Sequence, residues 1–167
     1  MPTKTKDTAI YAVHFIGAAM RPINGNEKPW MIGETRRIAG KLELCRRGYH
    51  YCHTWGDALI GGFLYGPMAC IVEVEPSGLE DSRKGVSHVR TLVGAWNVER
   101  EMRLFASDEA SRALKAWEKH SGKVADIRSW KAVKAARAFA DGEITVEDLS
   151  AARSAAWSAA WSAAESA

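Results

Sequence analysis

In the first part of the chain, hydrophobic and polar residues alternate with a period of two, which is the pattern of half-buried β-strands. The clearest example lies at residues 69–75, where apolar side chains fall on one face and two glutamates on the other. Residues 9–16 are mostly apolar on both faces, which is typical of a strand that is covered on both sides. The predicted strands are 9–16, 30–32, 35–38, 41–44, 49–52, 69–75 and 86–93, with a loop at 76–85.

Beyond Gly94 the spacing of apolar residues changes to about 3.6, the period of α-helices. One long helix or two shorter ones are predicted at 97–120. Asp126 is placed to cap a further helix that ends at Gly142. Residues 145–148 have the spacing of a capping box and predict a last helix that runs to the end of the chain.

A short helix is also predicted inside the first part of the chain, because Thr54 and Asp57 have capping-box spacing. We therefore predict an α+β fold. Residues 9–120 would form a small, mostly antiparallel twisted sheet with a short central helix, and residues 121–167 a helical extension. A chain of 167 residues has room for one such domain with an appended element.

The end of the chain repeats the tetrapeptide Ser-Ala-Ala-x four times, at residues 150–165. Alanine favours a helix, and a repeat of four residues drifts by about 40° per copy against 3.6 residues per turn. Trp157 and Trp161 therefore form a slowly winding stripe. Two interpretations stay open: the stripe packs on the chain's own domain, or it binds a partner or a second copy of the chain.

The net charge of +3 describes a mildly basic surface with acidic residues interleaved, which does not favour nucleic acid as a partner. No apolar run approaches the ~18 residues that cross a bilayer, so no membrane association is expected. Three cysteines without a framework spacing fit a reducing compartment better than a disulfide-stapled secreted domain. With a polar N-terminus, these features predict a cytoplasmic location.

Four residues of metal-binding or catalytic types lie close together: Cys45, His50, Cys52 and His53. All four are zinc-ligand types, but their spacing lacks the two-residue knuckle of familiar structural sites. On a strand, His50 and Cys52 would face away from His53. We therefore predict no metal or other cofactor, and expect Cys45, His50 and Cys52 to form a structural knot between the two central strands. Two alternatives are a zinc module, and a nucleophilic Cys45 or Cys52 beside a histidine base that Asp57 would orient.

A second arrangement is spread over the chain, with His14 on the first strand, Tyr49 or Tyr51 before a helix, and Glu99 or Glu101 after the last strand. This order resembles the His–Tyr–Glu plan of ADP-ribosyltransferases. The resemblance implies that His14 would hold the nicotinamide ribose and Tyr51 would stack on nicotinamide. Glu101 would orient the ribose hydroxyl. An NAD-using enzyme is thus an alternative function.

Residues 44–52 have the sequence Leu-Cys-Arg-Arg-Gly-Tyr-His-Tyr-Cys, and a predicted helix and a Val-Glu-Val-Glu strand follow. This pattern resembles a small domain of unknown function found in phage and prophage proteins, over residues 10–105. The matching motif residues are Cys45, Gly48, His50 and Cys52. The Ser-Ala-Ala-Trp tail is similar to tails of phage-encoded proteins. The resemblance implies a phage origin and supplies no activity.

These observations favour a non-enzymatic interaction protein in the cytoplasm of a bacterial host, in the class of counter-defence inhibitors that block a host protein complex. The residues expected to contact the partner are Trp157, Trp161, Arg46 and Arg47. A homo-oligomer formed through the C-terminal helix is the alternative assembly. The sequence does not decide between a binding protein and an enzyme.

Overall fold

The computed structural model describes residues 9–23, 27–62 and 64–165. The chain forms two compact units, of which the first ends at Val98 and the second begins at Glu99. No helix in the described ranges is long and apolar enough to cross a membrane. The α+β fold class predicted from the sequence is confirmed, with an antiparallel five-stranded sheet and four α-helices in this part of the chain.

The first unit contains five strands and one short helix. Their bounds are β1 (Ile10–Ile16), β2 (Thr35–Arg37), β3 (Tyr49–Cys52), α1 (Trp55–Ile60), β4 (Met68–Glu80) and β5 (Lys84–Asn97), with a 3-10 turn at Ala18–Met20. The capping box predicted at the start of α1 is present: Asp57 N–H donates to the Thr54 hydroxyl, and the Asp57 carboxylate accepts from Thr54 N–H.

The sheet closes on itself. β1 pairs with both β3 and β4, and β5 also pairs with both β3 and β4, so these four antiparallel strands form a ring. β2 pairs with β5 next to this ring. Because side chains alternate along each strand, the ring has an inner and an outer face.

Each face of the ring carries its own apolar core, and β1 has buried residues on both faces, as its sequence predicts. The inner core contains Ala12, Ile16, Trp30, Tyr49, Tyr51, Cys70, Val72, Val74 and Leu92. The outer core contains Val13, Phe15, Cys52, Ala58 and Ala69, of which Ala58 belongs to α1. The aromatic edge of Trp55 on α1 also packs against Phe15, with ring centroids 5.5 Å apart.

Three strand and loop predictions were wrong. Residues 41–44 form no strand but a turn closed by a bridge between Glu43 and Arg47. Residues 30–32 also form no strand, because Trp30 is turned into the inner core. Most of the loop expected at 76–85 belongs to strands, because β4 continues past Pro76 to Glu80. The pairing of β4 with β5 is irregular on both sides of Pro76, and a proline, which lacks a backbone N–H, is tolerated at such an irregularity.

Gly48 shows why the turn before β3 needs glycine. Its φ is +124°, a backbone conformation that L side chains rarely adopt. A Cβ at this position would also overlap the Val86 side chain and lie 2.7 Å from Leu42 Cδ2. The glycine therefore allows the turn to pack closely on β5.

The second unit consists of three helices, α2 (Glu99–Ser121), α3 (Ile127–Ala140) and α4 (Val146–Glu165). The segment predicted as one helix or two at 97–120 is the single helix α2. It belongs to the second unit, whereas the predicted boundary at residue 120 would place it with the sheet. Two contacts explain its place. Glu118 of α2 accepts from the indole N–H of Trp130 at 3.2 Å, and Arg100 pairs with Asp141 at 2.6 Å.

Helix α4 packs through small residues. Leu149 and Ala159 are buried, and Ala152 and Ala156 between them are half-buried, so the four form a seam with alternating spacings of three and four. The capping box predicted at its start is present, with Asp148 N–H donating to the Thr145 hydroxyl. The alanine repeat thus supplies a narrow packing surface.

Candidate functional site

The first unit contains a cavity of about 270 Å³ where β1 and β3 separate. These two strands are paired only at Val13 and Cys52. Beyond this pair, residues 14–16 of β1 and 49–51 of β3 line the cavity from opposite sides. The remaining lining residues are Pro22, Ile23, Glu27, Ile38, Cys45, Arg46, Gly48, Cys52, Tyr65, Lys84 and Arg90.

Arg90 is the charged residue most deeply placed in this cavity, with 6 % of its surface exposed. It lies on β5 opposite Val74, which is a buried residue of the inner core. Its guanidinium lies 4.7 Å from the ring centroid of Trp30 and 4.9 Å from that of Tyr49. Arg90 Nη1 donates to the His50 carbonyl at 3.2 Å. Burial lowers the pKa of Arg90 to about 10, so the side chain remains charged at neutral pH.

Arg36 on β2 contacts the same tryptophan as Arg90, with its guanidinium 4.1 Å from the Trp30 ring centroid, but it differs from Arg90 in its partners. Arg36 binds two carboxylates, those of Glu27 and Glu34, and two backbone carbonyls. These contacts hold the chain around Trp30 in place. The indole N–H of Trp30 is fully buried and has no hydrogen-bond partner among the described residues.

His14 lies on the inner face of β1, opposite Cys70 of β4. The pairing of Val13 with Cys52 puts Tyr51 opposite His14, and both residues line the cavity. Burial lowers the pKa of His14 well below its ordinary value of 6.5, and the positive charges of Arg90 and His50 lower it further. His14 is therefore a neutral imidazole at neutral pH, with one donor and one acceptor nitrogen.

The ADP-ribosyltransferase interpretation predicted that His14, Tyr51 and Glu101 would converge. His14 and Tyr51 do share one face and one cavity. Tyr51 is 1 % exposed and its hydroxyl lies 3.5 Å from Glu80 Oε2; burial raises its pKa. Glu101 lies on an exposed position of α2 in the helical unit, and the described residues that line the cavity all belong to the first unit.

The four residues of the zinc interpretation do not converge as a set of metal ligands. In the described part of the chain, no group of three or more His, Cys, Asp or Glu residues could hold a metal ion. Cys45 N–H donates to His50 Nε2 at 2.7 Å, which occupies the lone pair that would bind a metal. His53 packs edge-on against the Tyr51 ring instead. The hydrogen bond between Cys45 and His50 does tie the turn to β3.

A cysteine nucleophile is disfavoured by the environment of the buried thiols. Burial raises the pKa of Cys52 to about 11 and that of Cys70 to about 11, so both are protonated at neutral pH. Asp57, the carboxylate proposed to orient a base, is bound in the capping box of α1. Cys45 is exposed, with Lys84 as its hydrogen-bond partner.

In the helical unit, the predicted partner-binding tryptophans are exposed. Trp157 is 72 % exposed and Trp161 is 61 % exposed. A helix turns ~100° per residue, so the two rings lie roughly 140° from the middle of the seam through which α4 packs. The helix therefore packs through a seam of Leu149 and alanines, and the two tryptophans are mostly exposed on another side. We refer to Trp157 and Trp161 as the tryptophan face.

The two predicted partner-binding arginines lie on the turn before β3, and both are exposed. Arg46 is at the rim of the cavity. Arg47 donates from Nη2 to the Ala39 carbonyl at 2.9 Å, which fixes its side chain against the preceding loop. Sequence reasoning missed Arg90 and Trp30. The spacing of Arg90 from Leu92, two residues apart on one strand face, was the signal for its inward position.

Comparisons with known proteins identify no relative of this chain. A scan against protein-family models gives no match, and neither the curated proteins nor the solved structures contain a match to the chain.

Proposed function

We propose that this chain is a non-enzymatic interaction protein of phage or prophage origin, which binds a protein of the bacterial host through the tryptophan face of α4. The observation that carries the proposal is the exposure of Trp157 and Trp161, one turn apart, on a helix that packs through other residues. Clustered exposed aromatic residues mark interaction sites on soluble proteins, and tryptophan is enriched among the residues that dominate binding energy.

The energy available from this face is of the right size for an anchor. A tryptophan buries about 150–250 Å² when fully covered. Because roughly two thirds of each ring system is still exposed, covering both would remove about 250 Å² from water, or about 6 kcal/mol at ~25 cal/mol per Å². Association alone costs about 4–15 kcal/mol, so the two tryptophans would act as the centre of a larger interface.

The phage origin and the host partner rest on the motif of residues 44–52 and on the repeat of residues 150–165. Small phage proteins with such features often act by blocking a host complex, which supports a counter-defence role by analogy. Arg46 and Arg47, exposed on the first unit, supply two cations for a second contact with the same partner.

The test is capture of host proteins by the full chain, compared with the variant Trp157→Ala/Trp161→Ala. Trp117→Ala is the matched control, since Trp117 is 48 % exposed on α2 of the same unit. We expect one host protein to be captured by the wild type and by the control, and to be lost from the double variant. Sedimentation of the purified proteins is measured in parallel. A wild-type dimer that the double variant cannot form would show that the second copy, and not a host protein, covers this face.

An ADP-ribosyltransferase-like enzyme is the second candidate, favoured by the position of His14 and Tyr51 in one cavity. It predicts that NAD raises the melting midpoint and that Tyr51→Ala abolishes the shift, because a ligand of the native state stabilises it. Absence of a shift with the wild-type chain would contradict this candidate.

A further inference from the structure

Arg90 is a buried cation that has no carboxylate partner among the described residues. In the described ranges no carboxylate lies within ion-pair distance of its guanidinium, whereas Arg36, on the same tryptophan, is paired with Glu27 and Glu34. Removing a charge from water is costly unless the charge is paired. A buried arginine that faces a cavity without a counterion is therefore a candidate binding group for an anion from outside the chain.

The surroundings of Arg90 leave one part of the guanidinium available. The rings of Trp30 and Tyr49 lie close to the group, and Nη1 donates to the His50 carbonyl. Arg90 lines the cavity, and the ion pairs of the described residues leave its guanidinium without a carboxylate partner. A planar guanidinium edge matches a carboxylate or a phosphate with two parallel hydrogen bonds.

The other charges of the cavity also favour an anion. Arg46 and Lys84 line it together with Arg90, and Lys84 also pairs with Asp81, which lies outside the lining, at 4.0 Å. Glu27 is the carboxylate on the lining, and its charge is bound by Arg36 at 3.2 Å. The neutral His14 adds a polar group that can donate or accept without adding charge.

The rest of the lining includes apolar and aromatic side chains, such as Phe15, Ile16, Ile38 and Tyr65, next to the polar His50. The volume of about 270 Å³ lies just below the range of about 300–1,000 Å³ typical of drug-sized ligands. The cavity thus suits a small molecule with an apolar body and one charged end.

We propose that this cavity binds a small ligand that carries one oxyanion group, a carboxylate or a phosphate, on an apolar or aromatic body, and that Arg90 binds the oxyanion. The proposal is independent of the tryptophan face, since it concerns the first unit alone. It requires no chemical step.

The test uses the full chain and four probes at constant ionic strength: benzoate, phenyl phosphate, inorganic phosphate and the neutral benzyl alcohol. We expect benzoate or phenyl phosphate to raise the melting midpoint in a saturable way at millimolar concentrations, and benzyl alcohol to leave it unchanged. The difference between benzoate and phenyl phosphate identifies the preferred oxyanion. Binding of inorganic phosphate alone would contradict the apolar body, and no shift with any probe would overturn the proposal.

Variants locate the site. Arg90→Gln is expected to weaken binding of the active probe at least tenfold, and Arg90→Lys, which keeps the charge but loses the planar fork, to weaken it less. Arg83→Gln is the control, because Arg83 is exposed and lies outside the lining. Unchanged binding by a folded Arg90→Gln protein would overturn the assignment. If Arg90→Gln does not fold, Arg90→Lys decides: affinity equal to the wild type contradicts bidentate recognition by Arg90.

Discussion

The neutral state of His14 makes the stability of the first unit sensitive to mild acid. Burial lowers the pKa of His14 in the folded chain well below the 6.5 of an exposed histidine. Below pH 6.5 the unfolded chain therefore binds a proton that the folded chain does not bind. The contribution of neutral His14 to the free energy of unfolding is fully present above this pH. It decreases as the pH is lowered towards the folded-state pKa. The groups that oppose protonation are Arg90 on β5 and His50 on β3, while Cys70 on β4 lies opposite.

The size of the effect follows from the pKa difference. One pH unit below the unfolded pKa is worth ~1.36 kcal/mol per proton. Between about pH 7 and pH 5, His14 should therefore cost up to about 2 kcal/mol, the value for a side chain that stays neutral in the folded chain. Burial also lowers the pKa of His50, so the wild-type chain should lose more than this amount in total.

The perturbation is His14→Gln, which keeps a polar side chain of similar length but cannot titrate. Urea denaturation near pH 7 and near pH 5 gives the free energy of unfolding for both proteins. We expect the loss of stability between the two conditions to be smaller in the variant than in the wild type, by up to about 2 kcal/mol. An equal loss in both proteins, whatever their absolute stabilities, would show that His14 is not held neutral and would refute the reasoning.

Three further substitutions test local features of the first unit by thermal or urea denaturation. Gly48→Ala should cost about 2–4 kcal/mol, because the positive φ and the overlap with Val86 are both unfavourable; a loss below about 1 kcal/mol would contradict this. Thr54→Ala should cost about 1 kcal/mol through loss of the cap on Asp57 N–H, while Thr54→Ser should cost less. Cys52→Ser should lower the melting midpoint, by about 1–3 kcal/mol in stability, because it places a hydroxyl in the outer core; an unchanged midpoint would argue against a core role.

Features set by near neighbours in the sequence were predicted well. The capping boxes at Thr54 and Thr145 and the helix end at Gly142 are all present, because each depends on residues within one turn. The strand at Tyr49–Cys52 was predicted for the same reason, from a short aromatic run.

Features set by distant pairing could not be predicted in this way. Residues 41–44 alternate like a strand, yet the strands before and after them, β2 and β3, both pair with β5. The segment instead closes a turn on itself through the bridge between Glu43 and Arg47. The local sequence around Trp30 predicted a strand. The burial of Trp30 depends on Arg36 and Arg90, which lie on β2 and β5, so it could not be predicted from that local sequence. The closure of the sheet also creates the cavity, so the sequence pattern that placed Arg90 on the same strand face as Leu92 did not show that this face lines a cavity.

The candidate sites, too, depend on distant pairing and packing that the local sequence does not show. The pairing of β1 with β3 was needed to show that His14 and Tyr51 share a face. The exposure of Trp157 and Trp161 depended on which side of a nearly symmetric alanine helix packs inward. The burial of Leu149 and Ala159 shows which side of α4 packs inward. The repeat alone does not show this, because it places small residues on every side of the helix.

The interaction proposal is tested most directly by site-specific photo-crosslinking from the tryptophan face. A crosslinking amino acid replaces Ser158, which is exposed between the two tryptophans, and a control carries it at Ala113, an exposed position on α2. The account predicts that, in host cells, Ser158 gives a crosslink to one host protein that Ala113 does not give. It also predicts that Trp157→Ala/Trp161→Ala removes this crosslink. A host-protein crosslink of equal strength from both positions, or one that survives the double substitution, would contradict the account.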